Sequence, residues 1–248
     1  MSVASVNIMN RSDRYLFPMA WRILIAGSGD DQCARVSGPG QGWSMPRTWG
    51  ARTAHERQAA RRERILRAAI KVYGEHGYRN ASVKAVCMAA GLTERYFYES
   101  FANGEDLLRQ CFLAVEDDLL MSMREAARKE ASSVSECARS ALLVYLDHIR
   151  QDPATARVFL IEMANVSPAA EALVSESLDR FGSLLMEVLG ADPRFESRPS
   201  PLLLRGVVGG GLHIVQAWAT TGYAESIETV ADLNLRLYTA LMGSEAAF

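Results

Sequence analysis

From about Glu56 to its last residues, this sequence places apolar side chains at helical spacing, and no stretch alternates apolar and polar residues as a half-buried strand does. In the first helical segment one apolar stripe occupies positions i, i+4, i+7 and i+8, namely Ile65, Ala69, Val72 and Tyr73. This periodicity predicts an all-α fold. The 248 residues, of which 49% are hydrophobic, are enough to bury a substantial core.

Turn and capping residues divide the helical region into separate helices. Gly74 and Gly77 end the first helix, and Ser82 and Asn103 are predicted to cap two later ones. Three further helices begin with a polar capping residue followed by proline at the first helical position. In the C-terminal part this punctuation predicts helices at 133–150, 153–165, 168–189, 201–221 and 226–243.

Residues 1–50 are rich in Gly, Ser, Arg and Pro and have no sustained periodicity, so we expect them to be disordered. Within them the run RILIAGSGDDQ begins like a dinucleotide fingerprint, but Gln32 stands at the third glycine position and no βαβ unit follows. We therefore predict no nucleotide site. A translation start further downstream, for example at Met45, is an open alternative.

Charge is distributed unevenly along the chain, although its total is only −2. Residues 1–49 carry a net charge of +2, residues 50–105 carry +4 and residues 106–248 carry −8. Because Lys and Arg neutralise DNA phosphates, the positive segments suit a nucleic-acid partner. The four cysteines have neither CxxC spacing nor neighbouring histidines, so we expect reduced thiols and no zinc site.

Residues 82–108, SVKAVCMAAGLTERYFYESFANGEDLL, contain two short helical segments that meet at Gly91. Glycine allows the sharp turn, and the angle between the two helices is packed by Val86, Ala90, Leu92 and Phe97. The spacing predicts a helix-turn-helix whose second helix enters the major groove of DNA.

This stretch resembles the DNA-binding domain of the tetracycline-repressor (TetR) family over residues 57–108. The family's small hydroxyl residue, Ala-Gly turn, tyrosine, following aromatic residue and Glu-x-Leu helix start are matched by Ser82, Val86, Ala90, Gly91, Leu92, Thr93, Tyr98, Phe101, Glu105 and Leu107. The resemblance implies an N-terminal three-helix DNA-binding domain at residues 51–105. It also implies a larger α-helical ligand-binding and dimerisation domain at residues 106–248.

The resemblance further implies which side chains meet DNA. Lys84 is placed to reach a base edge or a phosphate, and Tyr98 resembles the family's phosphate-contacting tyrosine. A basic arm before the first helix resembles extensions that reach the minor groove, with a solvated charged face as the alternative. The basic arm contains Arg52, Arg57, Arg61 and Arg62. The residues predicted to bind DNA are Arg52, Arg57, Ser82, Lys84, Thr93, Glu94, Arg95, Tyr96, Tyr98, Glu99 and Ser100.

The predicted recognition helix combines one arginine with acidic and aromatic residues. Arg95 can bind guanine O6 and N7, and a glutamate can accept a hydrogen bond from a cytosine amino group. Tyr96 has packing of the small domain as its alternative role. The sequence departs from the family at Ser100, where a histidine is common, and at Gly104, where a lysine grips a phosphate. We therefore expect weakened DNA affinity.

The C-terminal part has apolar stripes that suit a dimer interface. The resemblance implies that the last two long helices pair with those of a second chain in a four-helix bundle. The residues assigned to this interface are Leu204, Val208, Gly211, Val215, Trp218, Leu233, Leu237 and Leu241. The run Gly209–Gly211 is expected to allow close packing there, with a local helix break as the alternative.

A cavity for an effector is expected between the middle helices. Its predicted lining residues are Phe112, Val115, Leu119, Tyr145, His148, Phe159, Met163, Phe181 and Leu185. Ordinary core packing is the alternative for each of them, and His148 in particular lies on an apolar stripe typical of a core histidine.

These patterns predict a cytoplasmic, ligand-responsive transcriptional regulator. Its expected partners are double-stranded operator DNA, a second copy of the chain and a small, largely apolar effector that releases it from a palindromic operator as a repressor. No catalytic motif, metal site or cofactor is predicted, and no membrane partner, since the apolar segment 201–221 contains Arg205 and His213. The alternatives are an orphan DNA-binding regulator and a helical adaptor whose C-terminal domain binds a protein.

Overall fold

The computed structural model describes residues 54–130, 133–164, 166–189 and 199–242, and these residues form nine α-helices and no strand. The predicted all-α fold is confirmed. In chain order the helices are α1 Ala54–His76, α2 Val83–Ala90, α3 Glu94–Tyr98, α4 Gly104–Lys129, α5 Val134–Gln151, α6 Pro153–Arg157, α7 Pro168–Leu189, α8 Pro201–Thr220 and α9 Ile227–Met242. The expectation for residues 1–50 lies outside the described residues.

Side-chain caps fix where the helices of the DNA-binding region begin. The Ser82 hydroxyl accepts a hydrogen bond from the Ala85 N–H at 3.1 Å and starts α2, which ends at Gly91 with φ of 62°. Asn103 accepts from the Asp106 N–H at 2.8 Å, and Asp106 in turn accepts from the Ala102 N–H at 3.0 Å. The predicted Asn103 cap at the start of α4 is therefore present, and Asp106 binds the backbone one residue before it.

The C-terminal helices differ from the prediction in one segment and decide an open alternative in another. The segment predicted as one helix at 153–165 is α6 followed by a π-helical turn at Val158–Glu162. Such π turns are rare and often lie at functional sites. The α8 helix runs through Gly209–Gly211 without interruption, so the helix-break alternative is wrong.

Helix α4 joins the two parts of the molecule. Near its start, Leu107 and Leu108 are completely buried in the core shared with α1, whereas Phe112 and Met123 reach the C-terminal helices. The boundary expected between residues 105 and 106 falls inside this helix. A displacement of α4 therefore affects both parts of the chain.

A second junction connects the end of α1 with α6 and the π turn. A Cβ on Gly74 would lie 2.5 Å from the Cα of Ala154, so glycine is needed for this approach. The Glu162 carboxylate accepts the Tyr78 N–H at 2.7 Å and pairs with Arg157 at 2.7 Å. The same turn carries Phe159 to the interior of the C-terminal part.

Candidate nucleic-acid interface and effector cavity

Helix α3 is the exposed helix of the helix-turn-helix. Phe97 is completely buried and fixes α3 against the small core, while Tyr98 on the next position is 62% exposed. Glu94, Arg95 and Glu99 are also exposed. This places an arginine, a tyrosine and two carboxylates on the side of α3 that can meet the major groove.

Glu99 forms ion pairs with two arginines, Arg95 of α3 and Arg61 of α1. The Arg95 Nε lies 3.2 Å from Glu99 Oε1, and an Arg61 guanidinium nitrogen lies 3.6 Å from Glu99 Oε2. This ion pair uses the Arg95 Nε and leaves its two terminal guanidinium nitrogens for other acceptors. The Arg61 guanidinium also stacks over Tyr96, 4.4 Å from the ring centroid, which gives the half-buried Tyr96 a packing role.

The remaining predicted DNA contacts occupy different surroundings. Lys84 and Arg57 are exposed, Ser82 and Thr93 stand at the N-caps of α2 and α3, and Ser100 is half-buried. Of the basic arm, Arg62 is engaged within the protein because it donates to Gln110 at 2.9 Å and covers the Phe101 ring. Arg52 lies outside the described residues.

A cavity of about 130 Å³, called here the main cavity, lies between α4, α5, the π turn and α7–α9. Six predicted effector-site residues line it together: Phe112, Tyr145, Phe159, Met163, Phe181 and Leu185. Phe112 stacks on Phe159 with centroids 5.2 Å apart, and Phe181 lies 5.9 Å from Phe159. The wall is therefore mainly aromatic and aliphatic.

The comparison with known protein families concerns the helix-turn-helix. The family model described as bacterial regulatory proteins, tetR family, matches residues 65–111, from the middle of α1 into α4. The match places the helix-turn-helix region of this chain, residues 65–111, in the TetR family.

Two curated relatives are similar to part of this chain. The HTH-type transcriptional regulator UidR of Escherichia coli is 33% identical over 64 residues, which is 26% of this chain and 33% of UidR. The chain thus matches about one third of UidR's length. The HTH-type transcriptional activator FasR of Mycolicibacterium smegmatis is 21% identical over 158 residues, 64% of this chain and 72% of FasR.

Solved structures share the fold over most of the described chain. The fatty acid degradation regulator FadR of Bacillus halodurans has a TM-score of 0.62 and 23% identity, covering 73% of this chain and 97% of FadR. FadR of Bacillus subtilis in complex with stearoyl-CoA has a TM-score of 0.61 and 20% identity, covering 73% and 98%. At these identities the likeness establishes a shared fold and nothing further.

Three residues expected at the main cavity lie elsewhere. Val115, Leu119 and His148 border a second cavity of about 30 Å³, where α4, α5 and α6 meet Ile70 of α1. The His148 Nδ1 is 2.8 Å from the Val144 carbonyl, and its Nε2 is 3.9 Å from the Asp118 carboxylate. For His148 these contacts agree with the alternative of a core histidine.

The stripe assigned to the dimer interface is partly wrong. Val208, Val215 and Trp218 are buried within a single chain, the last two at 1% and 3% exposure. A Cβ on Gly211 would lie 2.6 Å from the Asn234 side-chain oxygen, so this glycine serves the contact of α8 with α9. The physical reason is that the most continuous apolar stripe of α8 completes the chain's own core.

The opposite face of α8 is the one left uncovered. Leu202 is 82% exposed, and Gly206 and Gly209 have open space where a side chain would be. Leu204 packs on Gly182, Leu233 is 44% exposed, Leu237 is half-buried, and the Leu241 side chain lies outside the described residues. Among the described helices only α8 is long and apolar enough to cross a membrane, and a single such helix is weak evidence because core helices pass the same test.

The polar residues of the main cavity were not predicted from the sequence. Ser177, Gln216, Asn234 and Tyr238 line it beside additional apolar residues that include Met123, Ala141, Leu142, Leu160 and Leu184. A polar residue inside an apolar stripe was the available signal, as with Asn234 one turn after Val230. The described residues contain no cluster of three or more His, Cys, Asp or Glu that could hold a metal ion.

Proposed function

We propose that this chain is a ligand-responsive transcriptional regulator that binds operator DNA through α2 and α3 and an apolar effector in the main cavity. The observation that carries the proposal is the course of α4. This helix starts directly after the recognition helix, packs against α1, and then supplies Phe112 and Met123 to the cavity wall. A ligand that moves this wall can thereby change the position of the DNA-binding helices.

The functional unit we propose is a homodimer that uses the exposed face of α8 together with α9. Leu202 and Leu233 supply apolar area, and the small residues Gly206 and Gly209 permit a close approach of a second α8. Two recognition helices about 34 Å apart would then read a palindromic operator. This dimer occupies a different face of α8 from the one that the sequence suggested.

We propose repression as the mode of action, with the effector releasing the protein from DNA in the bacterial cytoplasm. A ligand causes release only if it binds the non-DNA-binding conformation more tightly, so effector and DNA must weaken each other's binding by the same factor. Because FasR is an activator, a reporter assay in the presence and absence of this protein tests whether it represses or activates transcription.

A gel-shift titration against the promoter region of the chain's own gene tests the proposal, with unrelated DNA as competitor at physiological salt. We expect specific binding with two chains per site. Arg95→Ala should lower operator affinity by about 10-fold or more with less effect on random DNA, as removal of a base contact does. Arg150→Ala, which removes an exposed charge from α5, is the matched control.

Three outcomes would change the proposal. Equal weakening on operator and random DNA would make Arg95 a phosphate contact. Specific binding that no ligand alters would favour the orphan regulator, and binding no tighter than to random DNA would favour the helical adaptor.

A further inference from the structure

The main cavity carries no charged side chain in its wall. Among the described residues that line it there is no Asp, Glu, Lys, Arg or His. The polar groups that do face it are neutral, namely Tyr145, Ser177, Gln216, Asn234 and Tyr238. This wall offers hydrogen bonds but no counter-ion.

Several of these neutral groups are held in place by hydrogen bonds to the protein. The Gln216 amide donates to the Leu160 carbonyl at 2.7 Å, which leaves the Gln216 side-chain oxygen as an acceptor. Asn234 donates to the Val230 carbonyl at 2.9 Å and accepts from the Tyr238 hydroxyl at 3.2 Å. Burial raises the pKa of Tyr145 and of Tyr238, so both phenols stay uncharged at neutral pH.

One acidic residue lies next to Ser177 of this wall. Glu116 lies behind Ser177, is completely buried, and has one carboxylate oxygen without a hydrogen-bond partner among the described residues. Its other oxygen binds Arg180, which also pairs with Asp117. Burial raises the pKa of Glu116, while Ser177 and Arg180 oppose that shift. Two carboxylates thus share one arginine on this side of the cavity.

Three other arginines of the C-terminal part have carboxylate partners. Arg205 pairs with Asp179, and Arg124 and Arg128 both pair with Glu187. An anionic group brought to the cavity would have to lose its hydration without gaining a cation there. Desolvating an unpaired carboxylate costs several kcal/mol, which is more than one neutral hydrogen bond returns.

We propose that the main cavity selects an uncharged apolar group that carries a hydroxyl, carbonyl or amide, and that it excludes a free carboxylate. The inference rests on the proposed function and adds the class of effector to it. The cavity volume of about 130 Å³ is close to the roughly 150 Å³ of an apolar cavity that binds benzene. A group of about one ring, or a short alkyl chain, therefore fits without expansion of the cavity, and a carboxylic acid fits only as its ester, thioester or amide.

A matched ligand series tests this selectivity with the full chain at pH 7.5. Isothermal titration calorimetry with 1-octanol, methyl octanoate and octanoic acid compares the same chain length with a hydroxyl, an ester and a carboxylate. We expect the acid to bind at least about 10-fold more weakly than the other two. Equal or tighter binding of the acid overturns the inference and leaves the proposed function standing.

Binding of none of the three compounds also overturns the inference, because it would mean that the cavity accepts no such group. The gel-shift titration is independent of these ligands, so the DNA-binding part of the proposed function is judged separately.

A pair of variants locates the source of the selectivity. Glu116→Gln removes the buried carboxylate, whereas Asp117→Asn removes an exposed carboxylate that binds the same arginine. We expect Glu116→Gln to reduce the difference between octanoic acid and 1-octanol to about 3-fold, and Asp117→Asn to keep most of it. An unchanged difference in Glu116→Gln would contradict the role of Glu116, and the wild-type series tests the selectivity even if this variant does not fold.

Discussion

The DNA-binding region and the effector region of this chain are built on different principles. In the first, short helices follow each other closely, and each turn depends on a local feature such as the Ser82 cap or the left-handed Gly91. In the second, the cavity is formed by helices that lie far apart in the sequence, and it contains empty space that a packed core would not tolerate. In this chain, local chemistry therefore specifies the DNA-binding surface, whereas long-range packing specifies the cavity.

The contact between the two regions should be the most sensitive point of the fold. Gly74→Ala would place a methyl group 2.5 Å from the Cα of Ala154, and backbone atoms cannot move aside easily. We expect a loss of about 3 kcal/mol in the free energy of unfolding, measured by urea denaturation. Gly104→Ala is the control because its Cβ would only touch the Tyr78 ring at 3.7 Å. Equal stability of the two variants would show that α1 and α6 are not held so closely.

The Glu162 carboxylate should also stabilise the contact between the end of α1 and the π turn. Glu162→Ala removes the acceptor of the Tyr78 N–H and the partner of Arg157. We expect a loss of about 2 kcal/mol, typical of a hydrogen bond to a charged group, and faster hydrogen exchange at the Tyr78 amide. Glu176→Ala, an exposed change on α7, is the control. Unchanged exchange at Tyr78 would mean that the π turn does not hold the DNA-binding region.

The two regions also differ in how much the sequence reveals. The helix-turn-helix could be predicted in detail because glycine, capping residues and short apolar spacing act within about one helical turn. The helices of the C-terminal region were predicted within a few residues of their ends, apart from the π turn at Val158–Glu162. Its backbone depends on contacts with α1 and α4 that no local pattern encodes.

The remaining wrong predictions concern what each face of a helix packs against. An apolar stripe shows that a helix face is covered, but it does not show whether the cover is the same chain or a partner. Val215 and Trp218 therefore looked like dimer residues and instead complete the core, while the uncovered face of α8 contains Gly206 and Gly209. Cavity residues such as Gln216 and Asn234 were missed for a different reason, because a single polar residue within an apolar stripe does not show by itself that it faces a cavity.

The DNA-binding surface should gain affinity from a single added charge. Gly104 occupies the first position of α4, and the nearest atoms to a Cβ there lie 3.7 Å away on Tyr78, so a lysine side chain can be accommodated. We expect Gly104→Lys to bind operator and random DNA about 5-fold more tightly and to steepen the salt dependence by about one phosphate contact. Gly104→Gln supplies similar length without charge, and an equal gain in that variant would exclude the phosphate contact.

The smallest expected effect concerns the carboxylate that holds Arg95. Glu99 pairs with Arg95 at 3.2 Å and with Arg61 at 3.6 Å, so it opposes every transfer of these arginines to DNA. We expect Glu99→Gln to bind random DNA about 3-fold more tightly, because an exposed ion pair is worth less than about 1 kcal/mol.

Operator affinity should rise less than random-DNA affinity if Glu99 itself accepts from a cytosine, and specificity would then fall. Glu94→Gln, which removes a carboxylate at the start of α3, is the matched control. If Glu94→Gln and Glu99→Gln change DNA affinity equally in competition gel shifts, the effect comes from net charge and not from the ion pair of Glu99 with Arg95.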